Sequence, residues 1–226
     1  MTNKNQNNAI NPYFFIPFMV WVLVGGILLA LFTREELFFA VNRHFSDTAN
    51  TCMYYITWMG QGEIIVPVLL ALMFVLPYSK KTYFLNALLT NIIPFFTQQL
   101  LKVYFNHPRP LSLYANKYWV HMEPWWTVLM SKSFPSGHSE GAFSFFCFLS
   151  LVLPKELKIL GLPLFFMALS VCYSRMYLGA HFFEDVYTGS IIGALSTTLI
   201  FYFLNRTSLQ LNNKTTTSPG NFNFGT

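Results

Sequence analysis

Six residues of this chain combine charge and titratable chemistry in one order: Lys102 and Arg109, then His138, then Arg175, His181 and Asp185. Together with the Pro135-Ser136-Gly137-His138 turn, they are the parts that phosphoryl transfer uses. A phosphate ester is negatively charged, and its transition state spreads charge over three equatorial oxygens. Two guanidinium forks can engage those oxygens in pairs while a lysine adds a point charge. Backbone N–H groups around Ser136, Gly137 and His138, at a helix start, can reach another oxygen, and Gly137 has no side chain to obstruct the approach. Preorganised donors of this kind do the work that a Mg²⁺ clamp does elsewhere. No carboxylate cluster of metal-holding character is visible, so the expectation is a site with no metal and no cofactor.

The two imidazoles then divide the labour. Asp185 follows His181 by four residues, about one helical turn, so it can bond one ring nitrogen and aim the other. An imidazole oriented in this way is a competent nucleophile toward phosphorus. His138 would protonate the leaving alkoxide and then take a proton from the water that releases phosphate. The chemistry expected is a phosphohistidine, formed and hydrolysed.

Each pattern alone has an ordinary reading. Lys102 and Arg109 could be interfacial cations reaching toward headgroups. Pro135-Ser136-Gly137-His138 could be a turn with Ser136 as an N-cap. His181 and Asp185 could be a polar pair at a helix start. What raises them together is placement, because all three fall on one expected side of a membrane.

That placement comes from the apolar segments. Of 226 residues, 54% are hydrophobic and only 10% charged, whereas a soluble domain carries about 25% charged residues. Six apolar stretches cover about 13–32, 62–78, 83–103, 138–154, 158–175 and 185–204. A span needs roughly 17–25 residues, which the first, third and sixth supply comfortably; the others are short or broken by Pro and Gly. The fold expected is an all-α integral membrane protein, a bundle of six transmembrane helices over 13–204 with an interfacial helix within 33–61. Polar tails at 1–12 and 205–226 read as disordered. The first segment lacks a basic n-region and a cleavage site, and is expected to stay as an anchor. Lys80, Lys81, Lys155, Lys158 and Arg206 share a side with the tails, and Glu35, Glu36, Asp47, Glu63 and Glu123 lie opposite. The positive-inside rule puts the tails in the cytoplasm and the regions 33–61, 104–137 and 176–184 at the periplasm or exterior, as in a bacterial inner membrane.

The net charge of +5 is scattered, with no nucleic-acid module. Cys52, Cys147 and Cys172 lack metal spacing and read as small buried hydrophobes. Glu140 and Glu184 read as charges at helix starts. His107, Lys117, His121 and Lys132, with Trp119, Trp125 and Trp126, line the 104–137 loop, where the tryptophans suit an interface.

Lys102-x6-Arg109-Pro110, Pro135-Ser136-Gly137-His138 and Ser174-Arg175-x5-His181-x3-Asp185 resemble the three-motif signature of the type 2 phosphatidic-acid phosphatase superfamily. Order and internal spacing fit without departure, and the likeness covers roughly 13–204. The resemblance implies His181 as nucleophile, His138 as acid and base, and Asp185 as the orienting carboxylate. It implies that Lys102, Arg109, Arg175 and the Ser136-Gly137 backbone hold phosphate. It also implies a phosphorylated lipid in the bilayer as substrate: phosphatidic acid, phosphatidylglycerophosphate, a polyprenyl diphosphate or a lipid A phosphate. An outward-facing site favours undecaprenyl diphosphate or a related envelope lipid. A transporter or a non-catalytic lipid-binding protein is the rival reading; charges at helix ends rather than at mid-membrane, and the lack of an inverted repeat, argue against transport.

Overall fold

A computed structural model of the chain describes residues 10–75, 79–114, 120 and 129–216. All regular structure among the described residues is helical. Helix α1 (Pro12–Leu31) starts at Asn11, whose side chain accepts from Tyr13 N at 3.1 Å, with proline in the first turn. Helix α2 (Arg34–Asn42) opens on a reciprocal capping box between Thr33 and Glu36. Helix α3 (Asp47–Trp58) is capped by Ser46, and a short turn leads to α4 (Gly62–Val75). Then come α5 (Lys80–Phe105) and the single-turn α6 (Pro110–Tyr114). After α7 (Gly137–Val152), a 3₁₀ stretch (Lys155–Leu160) leads into α8 (Gly161–Tyr177), and α9 (Phe183–Thr216) closes the order.

The six apolar stretches correspond to α1, α4, α5, α7, α8 and α9. By length and composition, Pro12–Leu31, Lys155–Tyr177 and Phe183–Arg206 can each cross a membrane, and α3 with α4, bent by 54°, makes a fourth candidate. This is an integral membrane protein, helical in the regular structure of its described residues. Helix α5 is long enough but carries Asn86, Asn91, Gln98, Gln99 and Lys102, and α7 has 16 residues. The region 33–61 holds two helices, α2 and α3, where a single interfacial helix is expected. The C-terminal boundary also differs. Helix α9 runs to Thr216, beyond the tail boundary at 205, because a helix once nucleated extends at little cost through Leu209-Gln210-Leu211. At the other end Pro12 already belongs to α1, while residues 1–9 and 217–226 lie outside the described residues.

Helix α7 is the buried axis: twelve of its sixteen residues are buried, including Phe143, Phe145, Phe146 and Phe148. Helix α1 is the reverse, burying Phe14, Phe18 and Gly25 while Ile16, Met19, Val20 and Leu23 face outward, as a helix in lipid does. Cys147 and Cys172 are buried as expected, but Cys52 is exposed.

Close approach of α7 and α9 depends on two glycines one turn apart. A Cβ on Gly189 would lie 2.5 Å from Ser136 O, and one on Gly193 would lie 2.9 Å from Ser144 N and press on Glu140 O. These neighbours are backbone and cannot move aside. Gly193→Val is therefore expected to destabilise the bundle by ~2–3 kcal/mol. Thermal unfolding in detergent checks this against Gly62→Val, where an added Cβ meets nothing within 4 Å and the midpoint should hardly move.

Candidate active site

Three chain segments meet at one end of the bundle. Helix α5 delivers Lys102 in its last turn and stops at Asn106, whose left-handed backbone (φ 42°) serves as its C-cap. The chain then turns through Arg109, whose guanidinium is buried and multiply held. Its Nε donates to Ser131 O at 3.0 Å, Nη1 to Ala180 O at 3.0 Å, and Nη2 to Lys132 O at 3.5 Å. Nη1 also lies 3.3 Å from His181 Nε2. Arg109 thus ties the 131–132 backbone to the loop that carries His181.

Ser136 is the N-cap of α7, and its hydroxyl accepts from Ser139 N at 3.4 Å and Ser139 Oγ at 3.0 Å. The Ser136 N–H donates to Asp185 O at 3.0 Å, so the turn at the start of α7 is bonded directly to the start of α9. Gln98 donates to Pro135 O at 2.7 Å. Its Oε1 lies 3.4 Å from the point where a Cβ on Gly137 would sit.

At the end of α8, Arg175 is buried and donates through Nη1 to Thr57 Oγ1 at 2.9 Å. Its carbonyl accepts from Ala180 N at 3.0 Å and His181 N at 3.3 Å, folding the 178–182 loop back on the helix. His181 is 1% exposed. Its Nδ1 is 3.3 Å from Asp185 Oδ2, although His181 lies just before α9 and Asp185 in the first turn of it. Ser133 Oγ donates to the same carboxylate oxygen and lies 3.4 Å from His181 Nδ1, while Phe182 N donates to it at 2.9 Å. The imidazole is therefore held from both sides, Nδ1 by a carboxylate and Nε2 by a guanidinium. Burial first, then the charges of Arg109, Arg175 and Lys102, pulls the His181 imidazole well below its ordinary range. Burial also lowers Arg109, against the opposing pull of Asp185. A neutral ring keeps a lone pair for bonding, and on this geometry that lone pair is on Nε2.

The model of the PAP2 superfamily matches residues 82–208, more than half the chain and all three motifs. The chain belongs to the PAP2 superfamily. Its class is that of the membrane lipid phosphatases, hydrolases of phosphoric esters. It is 26% identical over 196 residues to the undecaprenyl-diphosphatase of Sulfolobus acidocaldarius, covering 82% of this chain and 88% of the relative. Among solved structures it resembles Aquifex aeolicus LpxE, with a TM-score of 0.63 and 27% identity over 77% of this chain and 98% of that one. It shares its fold with a transmembrane PAP2-type phosphatidylglycerolphosphate phosphatase from Bacillus subtilis. There the TM-score is 0.57 and the identity 24%, over 89% of this chain and 97% of that one.

Within this PAP2 fold, Lys102 and His138 line a cavity of about 610 Å³ between α4 and α5. The cavity continues away from the motifs along apolar residues such as Ile65, Leu69 and Leu88 to Met73 and Tyr83. Lys102 and Tyr83 lie 19 residues apart on one helix, roughly 28 Å of rise. Several of its lining residues, Val66, Leu88 and Phe95 among them, are also exposed on the outside, so the cavity is an open-sided groove.

Four further polar residues belong to this neighbourhood: Ser133 on the His181–Asp185 pair, Thr57 on Arg175, Gln98 on the Pro135 carbonyl, and Gln61, 3.2 Å from His138 Nε2. Of these only Gln98 carries a signal in the sequence, since an amide inside an apolar helix requires a partner. Glu140 lines the same cavity but is no solvated helix-start charge: it is 1% exposed and accepts from Ser144 Oγ at 2.8 Å. Glu184 pairs with Arg34 at 2.5 Å. Lys132 contributes its carbonyl to Arg109, and the His107 ring packs on Phe105 and Phe134 at 5.6 and 5.4 Å. Lys117, Trp119, His121, Glu123, Trp125 and Trp126 lie outside the described residues.

Proposed function

We propose that this protein is a metal-independent phosphatase of a lipid phosphate or diphosphate, working through a phosphohistidine. The observation that carries the reading is the holding of His181 between Asp185 on Nδ1 and Arg109 near Nε2. The Nε2 lone pair attacks phosphorus, and the bond to the leaving oxygen breaks with its electron pair staying on that oxygen. His138 supplies the proton that the leaving oxygen takes up. Water then gives a proton to His138 and bonds to phosphorus, and the P–N pair returns to His181. The products are the dephosphorylated lipid and inorganic phosphate. Lys102, Arg109, Arg175 and the N–H groups at Ser136-Gly137 carry the charge of the transferring group.

The substrate preferred in this reading is undecaprenyl diphosphate or a related envelope lipid. Support comes from the likeness to the undecaprenyl-diphosphatase of Sulfolobus acidocaldarius and from a groove long enough for an extended hydrocarbon chain beside Lys102 and His138. In the membrane the chain forms six spans, with α2 and α3 at the interface, both tails cytoplasmic and the site at the outer face. The charge asymmetry of the connecting segments supports that orientation.

Phosphate release by purified protein in detergent, with EDTA present, tests this across undecaprenyl diphosphate, phosphatidylglycerophosphate, phosphatidic acid and lipid A. The expected outcome is release that EDTA leaves intact and that is fastest for undecaprenyl diphosphate. A strict metal requirement overturns the three-cation clamp; faster release from another of the lipids reassigns the substrate.

A further inference from the structure

The catalytic motifs lie within residues 82–208 of the family match, yet the α3–α4 turn, outside it, reaches into the site. Thr57 accepts from Arg175, and Gln61 Nε2 lies 3.2 Å from His138 Nε2. The turn is tightly built: Gly60 N donates to Thr57 O at 3.1 Å and Gln61 N to Trp58 O at 2.9 Å. It is also pressed onto α7. A Cβ on Gly60 would strike His138 O and lie 3.0 Å from Val171 Cγ1, and one on Gly141 would lie 3.0 Å from Gly60 O. The backbone of Gln61 is thereby fixed relative to the backbone of His138, and its side chain lines the groove mouth beside Lys102.

We infer that Gln61 is a positioning residue for His138: by occupying Nε2 it assigns proton transfer to and from substrate to Nδ1. This rests on the catalytic reading proposed above. An amide suits the task because it carries a donor at one end and an acceptor at the other. As placed, its N–H meets the lone pair of a neutral ring; turned by half a rotation, its carbonyl accepts N–H from the protonated ring. In the first half-reaction the imidazolium passes its Nδ1 proton to the leaving oxygen as the P–O pair moves there. The Nε2–H stays on the Gln61 carbonyl. In the second, Nδ1 takes a proton from water as the water oxygen bonds to phosphorus and the P–N pair returns to His181. Gln61 gains and loses no proton, and the charge on its partner cycles.

Leaving-group dependence separates this role from packing. A long-chain alkyl phosphate expels a poor alkoxide that needs its proton, whereas 4-nitrophenyl phosphate expels a phenolate that does not. With the full-length protein in detergent, Gln61→Leu is expected to lower kcat/KM for dodecyl phosphate ~30-fold or more and that for 4-nitrophenyl phosphate less than ~3-fold. Gln61→Glu, which retains an acceptor for Nε2–H, should bring the ratio of the two substrates back to within ~5-fold of the parent. Equal losses on both substrates would make Gln61 a packing residue. No loss, or a gain on both, would mean that substrate approaches Nε2 and competes with the amide; either result overturns the assignment. A parent that releases phosphate from neither ester and from none of the four lipids named above removes the catalytic reading and this assignment with it. An active parent whose ratio Gln61→Leu leaves unmoved removes the assignment alone.

Discussion

His181→Ala is expected to reduce phosphate release to the no-enzyme background, a loss of ~10⁴-fold or more in kcat/KM. His138 is not expected to substitute, because it is tied through Nε2 to Gln61 and projects from α7. The same change should abolish labelling of the protein by ³²P-phosphorylated substrate, a label that in the parent is acid-labile as a P–N bond is. A variant that keeps more than ~1% of parent activity would overturn the nucleophile assignment. The ring is 1% exposed and bonded on both sides. Truncation to alanine leaves a buried carboxylate with one partner fewer, which costs stability as well as chemistry. His181→Asn, which fills more of the space and keeps a polar atom near the Nδ1 position beside Asp185, is the companion variant. The two should be equally inactive although they differ in thermal midpoint.

Asp185→Asn should cost ~10³-fold in kcat with KM nearly unchanged, since in the proposed mechanism Asp185 orients His181 and the cations hold phosphate. The single oxygen Oδ2 gathers the Ser133 hydroxyl, the Phe182 N–H and His181 Nδ1. A carboxylate accepts all three. An amide oxygen in the place of Oδ2 is uncharged and accepts the three more weakly, and an amide turned the other way presents its N–H to them and leaves the imidazole in the wrong tautomer. With Nε2 protonated, the lone pair is on the wrong nitrogen for attack. Binding of orthovanadate, measured by competition, should survive in this variant, because Lys102, Arg109 and Arg175 are unchanged. Loss of vanadate binding together with turnover would show that Asp185 shapes the anion site itself.

Much of this was legible in the chain because two independent regularities run through it. Apolar stretches long enough to be helices define α1, α4, α5, α7, α8 and the start of α9 to within a few residues. The three motifs all fall near the same ends of those helices. His181 and Asp185 meet across the start of α9, His181 just before the helix and Asp185 in its first turn, where its carboxylate turns back to Phe182 N–H and His181 Nδ1, a purely local relation. Thr57, Gln61 and Ser133 were not legible. Each is a common polar residue in or beside a turn, with no spacing to distinguish it, and its role exists only because α3 and the 131–135 segment fold against α7 and α8. The short α2 and α3 were blurred into one interfacial segment because the break at Arg43–Ser46 has no proline or glycine to mark it. Helix α9 outruns its expected end for the opposite reason: the polar residues after 205 carry no breaker until Pro219.

The open-sided groove between α4 and α5 changes what concentration means for this protein. A substrate that reaches Lys102 and His138 sideways, along the hydrocarbon, arrives by diffusion within a sheet and not through a volume. Saturation is then governed by the number of lipid molecules per unit of membrane area, and diluting the vesicles in buffer leaves the occupancy of the site unaltered. The two products part company at the same spot, the hydrophobic one returning to the plane it came from and phosphate departing into water. Reversal requires phosphate from the water and the alcohol from the membrane to meet at that same spot; the groove sets the route of each and leaves the equilibrium between them unchanged.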